Sequence, residues 1–286
     1  MFAIVDRLIA NGYVRYGYTT KFTQSGNTMR LFLQFFALSD RYERKARLLP
    51  GLLLAAGPAL TAGALLQELS QWYTAVGAAV GVEFLAAIVL GHYARARGRN
   101  VEESMWDSWG GPPTTRWLRP NDTTCSDQQK EKWREAIKKQ TGMTVPASVP
   151  EGRNDASVDQ EIAEATRQLR YVLRNKPNAT ILQSHNEDYG FARNLYGVRF
   201  LWVVLAVLCV AGCGVAFALG MKPYAAIAIA ITVLAVSTLV ASELPKYVRR
   251  CADRYAESLF AAAMLPDPPT KPDNKKSKST SDKPAK

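Results

Sequence analysis

Histidine and cysteine are scarce in this chain. The two histidines, His92 and His185, stand far apart, and the four cysteines are scattered. Cys209 and Cys213 lie one helical turn apart inside an apolar run, whereas Cys125 and Cys251 are remote from them and from each other. No zinc-ligand spacing results, and a disulfide framework is excluded as the source of the fold. No metal or cofactor is therefore expected. A cleavable signal peptide is also missing from the pattern, because Asp6 and Arg7 interrupt the apolar residues from Met1 to Ile9. That stretch reads as a short amphipathic helix lying on a membrane. No nucleophile with its base stands out either, so enzymatic activity is not expected.

Long apolar runs dominate what is present, although the mean hydropathy of -0.12 hides them. Four runs of spanning length extend over about 48–66, 73–91, 200–219 and 224–242. At 1.5 Å per residue each is just long enough for a hydrocarbon core of about 30 Å. Arg41, Arg44, Lys45 and Arg47 precede the first run, and Arg95, Arg97 and Arg99 follow the second. Arg193 and Arg199 precede the third, and Lys246, Arg249 and Arg250 follow the fourth. The two short connections within the pairs hold one basic residue, Lys222. The positive-inside rule then places both connections outside and both termini in the cytoplasm. Trp72, Tyr73, Trp202 and Tyr224 stand where interfacial aromatics are expected.

The expected fold is an all-α membrane protein, four transmembrane helices arranged as two hairpins around a mainly helical cytoplasmic insert. Residues 1–47 form cytoplasmic N-terminal amphipathic helices, 48–91 the first hairpin and 92–199 the insert. Residues 200–242 form the second hairpin, 243–265 a cytoplasmic helix, and 266–286 a disordered basic tail. One helix is expected from Ser25 or Asn27 to Leu49. Capping boxes at Ser126/Gln129 and Ser157/Gln160 mark two helices of the insert, the first ending near Gly142. Small residues recur four apart at Gly77/Gly81, Gly212/Ala216, Gly214/Ala218 and Ala226/Ala230, a spacing that lets helices approach closely in a bundle or homo-oligomer. The net charge of +11 lies beside the apolar runs and in the tail, which suits a bilayer surface better than a nucleic-acid groove.

Four features are candidates for function. In Trp106–Arg119, Gly110 and Gly111 free the backbone before Pro112 and Pro113 restrain it. Thr114 or Thr115 would cap a short helix, with Arg116 and Arg119 adding charge and the tryptophans a stacking surface for a nucleotide or phosphorylated ligand. The alternative is a structural turn. The second feature is the polar run His185–Leu195, whose Asn186, Tyr189, Arg193 and Asn194 read as a junction to the third span and whose His185, Glu187 and Asp188 offer an acid/base alternative. The third is Arg167, Arg170 and Arg174 on one helix face, either solvated or directed at an anion. The fourth is Glu83 at mid-span, read as pore-lining or as a protonated carboxyl bonded to Thr61, Thr232 or Ser237.

The strings Trp106-Asp107-x-Trp109-Gly-Gly-Pro-Pro-Thr-Thr and Asn186-x-x-Tyr189-Gly-Phe-x-Arg193-Asn194-Leu195 resemble those of a group of bacterial four-span membrane proteins, over roughly residues 40 to 260. The layout is also similar to membrane effectors of nucleotide-signalled anti-phage systems. That similarity implies an inner-membrane effector whose cytoplasmic domain senses a ligand or partner and whose helices, as an oligomer, permeabilise the membrane or conduct ions. A non-conducting anchor that docks a soluble protein partner is the other reading.

Overall fold

The structure, a computed structural model, describes residues 41–66, 72–152, 154–174, 176 and 179–266, with side chains at 66 and 72–84 left out. The expectations for the N-terminal helices, for the tail beyond 266 and for the side chains of Gly77, Gly81 and Glu83 lie outside the described residues.

All regular structure among the described residues is helical. A π-helical turn, Glu43–Leu48, leads into α1 (Leu49–Leu66). Then follow α2 (Trp72–Ser108), α3 (Pro113–Arg116), α4 (Asp127–Thr141), α5 (Asp155–Leu173), α6 (Thr180–Ala218) and α7 (Tyr224–Met264). Local chemistry sets several ends. The Ser126 side chain accepts from the Gln129 N–H at 3.3 Å, and Gly142 closes α4 at φ 74°. α5 begins three residues earlier than the Ser157/Gln160 box implies. Asn154 is its cap and accepts from the Ser157 N–H at 2.9 Å, because its side chain reaches the first orphan donors before Ser157 can.

The described helices that are long and apolar enough to cross a membrane are the one that includes α1, then α6 and α7. The second expected span, 73–91, falls on α2, whose residues 72–84 have no described side chains. In α6 and α7 only 17% of the most apolar window is buried by the rest of the chain. Phe200, Leu208, Val215, Leu219 and Leu239 are all well exposed. Water does not tolerate so continuous an apolar exterior, whereas lipid does.

α2, α6 and α7 contain 37, 39 and 41 residues, so α7 is about 60 Å long, twice the thickness of the hydrocarbon core. Each continues unbroken from its apolar half into polar sequence. The end of α7 enters the core of the insert, where Ala256, Leu259, Phe260 and Ala263 pack among Trp117, Trp133, Ile137, Ile162 and Leu169. The Trp133 and Phe260 rings stack at 4.6 Å. The expected stripe Val248, Cys251, Tyr255 and Leu259 is thus the inward face of a helix that runs from an apolar half into the core of the insert.

Two contacts bring helix backbones together. A Cβ on Gly98 of α2 would lie 2.8 Å from the Cα of Asn194, and one on Gly197 of α6 would lie 2.5 Å from the Gly98 nitrogen. A Cβ on Gly51 would fall 2.6 Å from the Gly91 nitrogen, which sets α1 against α2. The pairs expected from spacing fare differently. Ala226 and Ala230 are buried, while a Cβ on Gly212 or Gly214 would meet nothing within 4 Å. Trp202 packs inward against Leu54, Leu195 and Val198 and does not face an interface.

Candidate functional site

The Trp106–Arg119 stretch begins as a helix stop. Gly110 and Gly111 take φ of 76° and 114° after the last turn of α2. The Gly111 N–H donates to the Trp106 carbonyl at 2.7 Å and the Gly110 N–H to Asp107 at 3.2 Å, the paired bonds of a Schellman end. Pro112 caps the four-residue α3 without a side-chain bond, and Thr114 and Thr115 are buried within it. Neither threonine is the expected cap, because Pro112 already has the extended ψ of 138° that the N-cap position requires.

Both arginines of the stretch are engaged from within the chain. Arg119 donates from Nε and Nη2 to the two Asp159 oxygens at 2.7 and 2.6 Å, and from Nη1 to the Gly110 carbonyl. This paired bond to Asp159 raises the Arg119 pKa against the opposing effect of burial. Arg116 donates to the Trp109 carbonyl at 2.8 Å and lies 3.5 Å from Asp122. The Arg119 guanidinium also occupies the space a Cβ on Gly111 would need. A cavity of about 470 Å³ beside them carries Asp122, Asp155 and Asp159 against Arg116 and Arg119. A phosphate there would compete with three carboxylates for two guanidiniums.

Beneath this loop is a residue that sequence reasoning missed. Lys130, with 1% of its side chain exposed, donates to the carbonyls of Arg119 at 3.1 Å, Pro120 at 3.4 Å and Asp122. Arg134 adds a bond to the Leu118 carbonyl at 3.1 Å. In sequence Lys130 reads as one more cation of a charged helix, and no local pattern marks it as the anchor of a loop.

The polar run His185–Leu195 packs against α2 and against the turn before α1. The Tyr189 hydroxyl donates to Glu102 at 2.7 Å, and Arg193 Nη1 lies 3.1 Å from both Glu102 oxygens. The pair is largely enclosed, with 13% of the Arg193 and 15% of the Glu102 side chain exposed. Burial first, and the Glu102 charge second, push the Tyr189 hydroxyl well above its ordinary pKa. Buried Asn194 donates to the Ala46 carbonyl at 2.7 Å. Lys45 pairs with Asp188 at 2.6 Å and Arg41 with Glu187 at 3.2 Å. Glu187 and Asp188 thus tie the turn before α1 to α6, which favours the junction reading over acid/base chemistry. Glu102 is the member that sequence reasoning missed.

Two stretches separate in sequence converge at this junction. A cavity of about 190 Å³ is lined by Trp106, Pro112, Pro113 and Thr114 from the first and by Asn186, Tyr189, Gly190 and Arg193 from the second. Tyr42, Glu102, Arg170, Ala252 and Tyr255 complete it. The Tyr189 and Tyr255 rings lie nearly parallel with centroids 6.2 Å apart, and Arg193 sits 5.8 Å from the Tyr189 ring centre. Of the arginine stripe, Arg170 alone lines this cavity. Among the described residues, no group of three or more His, Cys, Asp or Glu is placed to hold a metal ion. Comparison with protein-family models, curated proteins and solved structures finds no match.

Proposed function

We propose that the chain is a multi-pass effector of the inner membrane, with four spans and cytoplasmic termini. Its cytoplasmic domain senses a ligand or partner, and its helices, as a homo-oligomer, open a path through the bilayer. The observation that carries this reading is the continuity of α2, α6 and α7 from apolar halves into a polar junction and, for α7, into the insert's core. A rigid helix transmits a rotation or shift along its length, whereas an anchor needs only a flexible tether. The polar triad Glu102, Arg193 and Tyr189 joins two of these helices where the apolar part ends. A buried ion pair of this kind has two discrete arrangements, made and broken, which is what a switch requires.

The test is membrane potential in cells and ion flux in phospholipid vesicles. Wild type, Glu102→Gln and Arg193→Gln are compared at equal insertion. A change in flux of tenfold or more on breaking the pair is expected. Vesicles that stay tight with all three proteins would leave the chain as an anchor for a soluble partner. Glu83→Gln is expected to alter cation flux without loss of insertion, and flux equal to wild type would remove Glu83 from the path.

A further inference from the structure

We infer that the cavity at the junction of α2, α6 and α7 binds a single flat aromatic ring bearing an anionic group, supplied as a nucleoside monophosphate or as an aromatic carboxylate. Its volume of about 190 Å³ equals roughly six waters at their liquid volume, enough for one ring system, so the sugar and phosphate of a nucleotide lie at its mouth. Trp106, Tyr189 and Tyr255 bring three aromatic side chains from three helices to one space. Aromatic rings and guanidinium planes are the surfaces on which flat π-systems stack.

The charged lining sets the second requirement. Arg170 and Arg193 face one carboxylate, Glu102, which leaves one positive charge for a ligand to balance. Glu102 and Arg193 hold each other in the enclosed part. Arg170 is exposed on α5 and within hydrogen-bonding reach of the Tyr255 hydroxyl, so it stands where an anionic group would meet the ligand's solvent side. This arrangement differs from the Arg116/Arg119 cavity, where carboxylates outnumber guanidiniums. A ring held here touches all three long helices. The inference rests on the effector reading only for what binding does next, not for binding itself.

The experiment uses the full-length protein purified in detergent, with calorimetry for AMP, GMP, UMP and benzoate. Adenosine supplies a ring without the anion and inorganic phosphate an anion without the ring. At least one of the first four is expected to bind, and adenosine and free phosphate at least tenfold more weakly. The nucleotide and benzoate arms decide between the two sources. Arg170→Gln is expected to weaken the bound anion at least tenfold and to leave adenosine unchanged, while Arg119→Gln changes neither. Trp106→Phe is the second variant and should weaken AMP and adenosine alike. Absence of binding by all six probes up to about 10 mM, near the weakest useful affinity, would overturn the inference. So would loss under Arg119→Gln with Arg170→Gln unaffected. If no probe binds but Glu102→Gln still alters flux, the site is wrong and the effector reading stands. If probes bind as expected and flux never changes, the site stands and the effector reading falls.

Discussion

Lys130 shows how one side chain organises a loop. Its ammonium satisfies three carbonyls that the turn after α3 leaves without helical partners. Lys130→Met keeps the length and the apolar stem but orphans the Pro120 and Asp122 carbonyls and leaves that of Arg119 only the Asp122 N–H at 3.4 Å. It is expected to cost about 2–4 kcal/mol, since each buried acceptor then loses a charged donor. Thermal unfolding and protease sensitivity of the 119–126 loop would measure it, and an unchanged midpoint would show that the cage adds nothing. Asp253, partly buried on α7, makes the opposite case. Burial holds its carboxyl above the ordinary value of 3.8, and Arg116 and Arg249 only partly oppose that. A raised native pKa means that the folded state binds the proton more tightly than the unfolded chain. Stability therefore increases as pH falls from the raised native value toward 3.8, and is lost as pH rises through that window. Asp253→Asn is expected to melt above wild type near neutral pH, with the gain shrinking toward pH ~4. A gain that persists at the acidic end would point to packing and not to charge.

Glycine decides how α2 meets α6. At Gly197 the obstruction to a Cβ is backbone, and at Gly98 the Asn194 Cα at 2.8 Å stands behind its side-chain oxygen, so neither can rotate away. Gly98→Val or Gly197→Val must push the helices apart and is expected to cost more than about 3 kcal/mol or prevent accumulation, as overpacking at a fixed contact does. Gly212→Val and Gly214→Val meet nothing within 4 Å in one chain, so the monomer should tolerate them. Blue-native electrophoresis beside thermal melts would compare the four. A change of oligomer size confined to Gly212→Val or Gly214→Val would mark that stripe as a contact between copies. Loss of size and stability at all four positions would show instead that crowding within the spans is general.

At the scale of the molecule the flanking charge makes a prediction about orientation. The proposed topology puts the basic flanks of α1, α2, α6 and α7 on one side, and the turn from α6 to α7, closed by Gly220 at φ 86°, carries only Lys222. In a variant without native cysteines, Met221→Cys should react with a membrane-impermeant thiol reagent in intact spheroplasts, and Ser148→Cys only after lysis. The reverse pattern would invert the topology, and labelling of both would break it. Labelling at α2 and α1 flanks in the same background would count the spans.

The sequence by itself determined the apolar runs, their flanking charge, the cap at Ser126, the stop at Gly142 and the polar run His185–Leu195. These depend on neighbours no more than about four residues apart, the range over which helical periodicity and capping act. It left open whether Trp106–Arg119 was a turn or a pocket, because a Schellman end and an anion loop use the same glycines. Only the tertiary structure decided that this stretch is both a helix stop and one wall of the junction cavity. It also paired Glu102 with Arg193, 91 residues away, set Gly98 on Gly197 and gave Lys130 its three carbonyls. The physical reason is that such contacts follow from where long helices cross, and one turn of slip along a helix axis, about 5.4 Å, would replace every one of them without altering any local pattern.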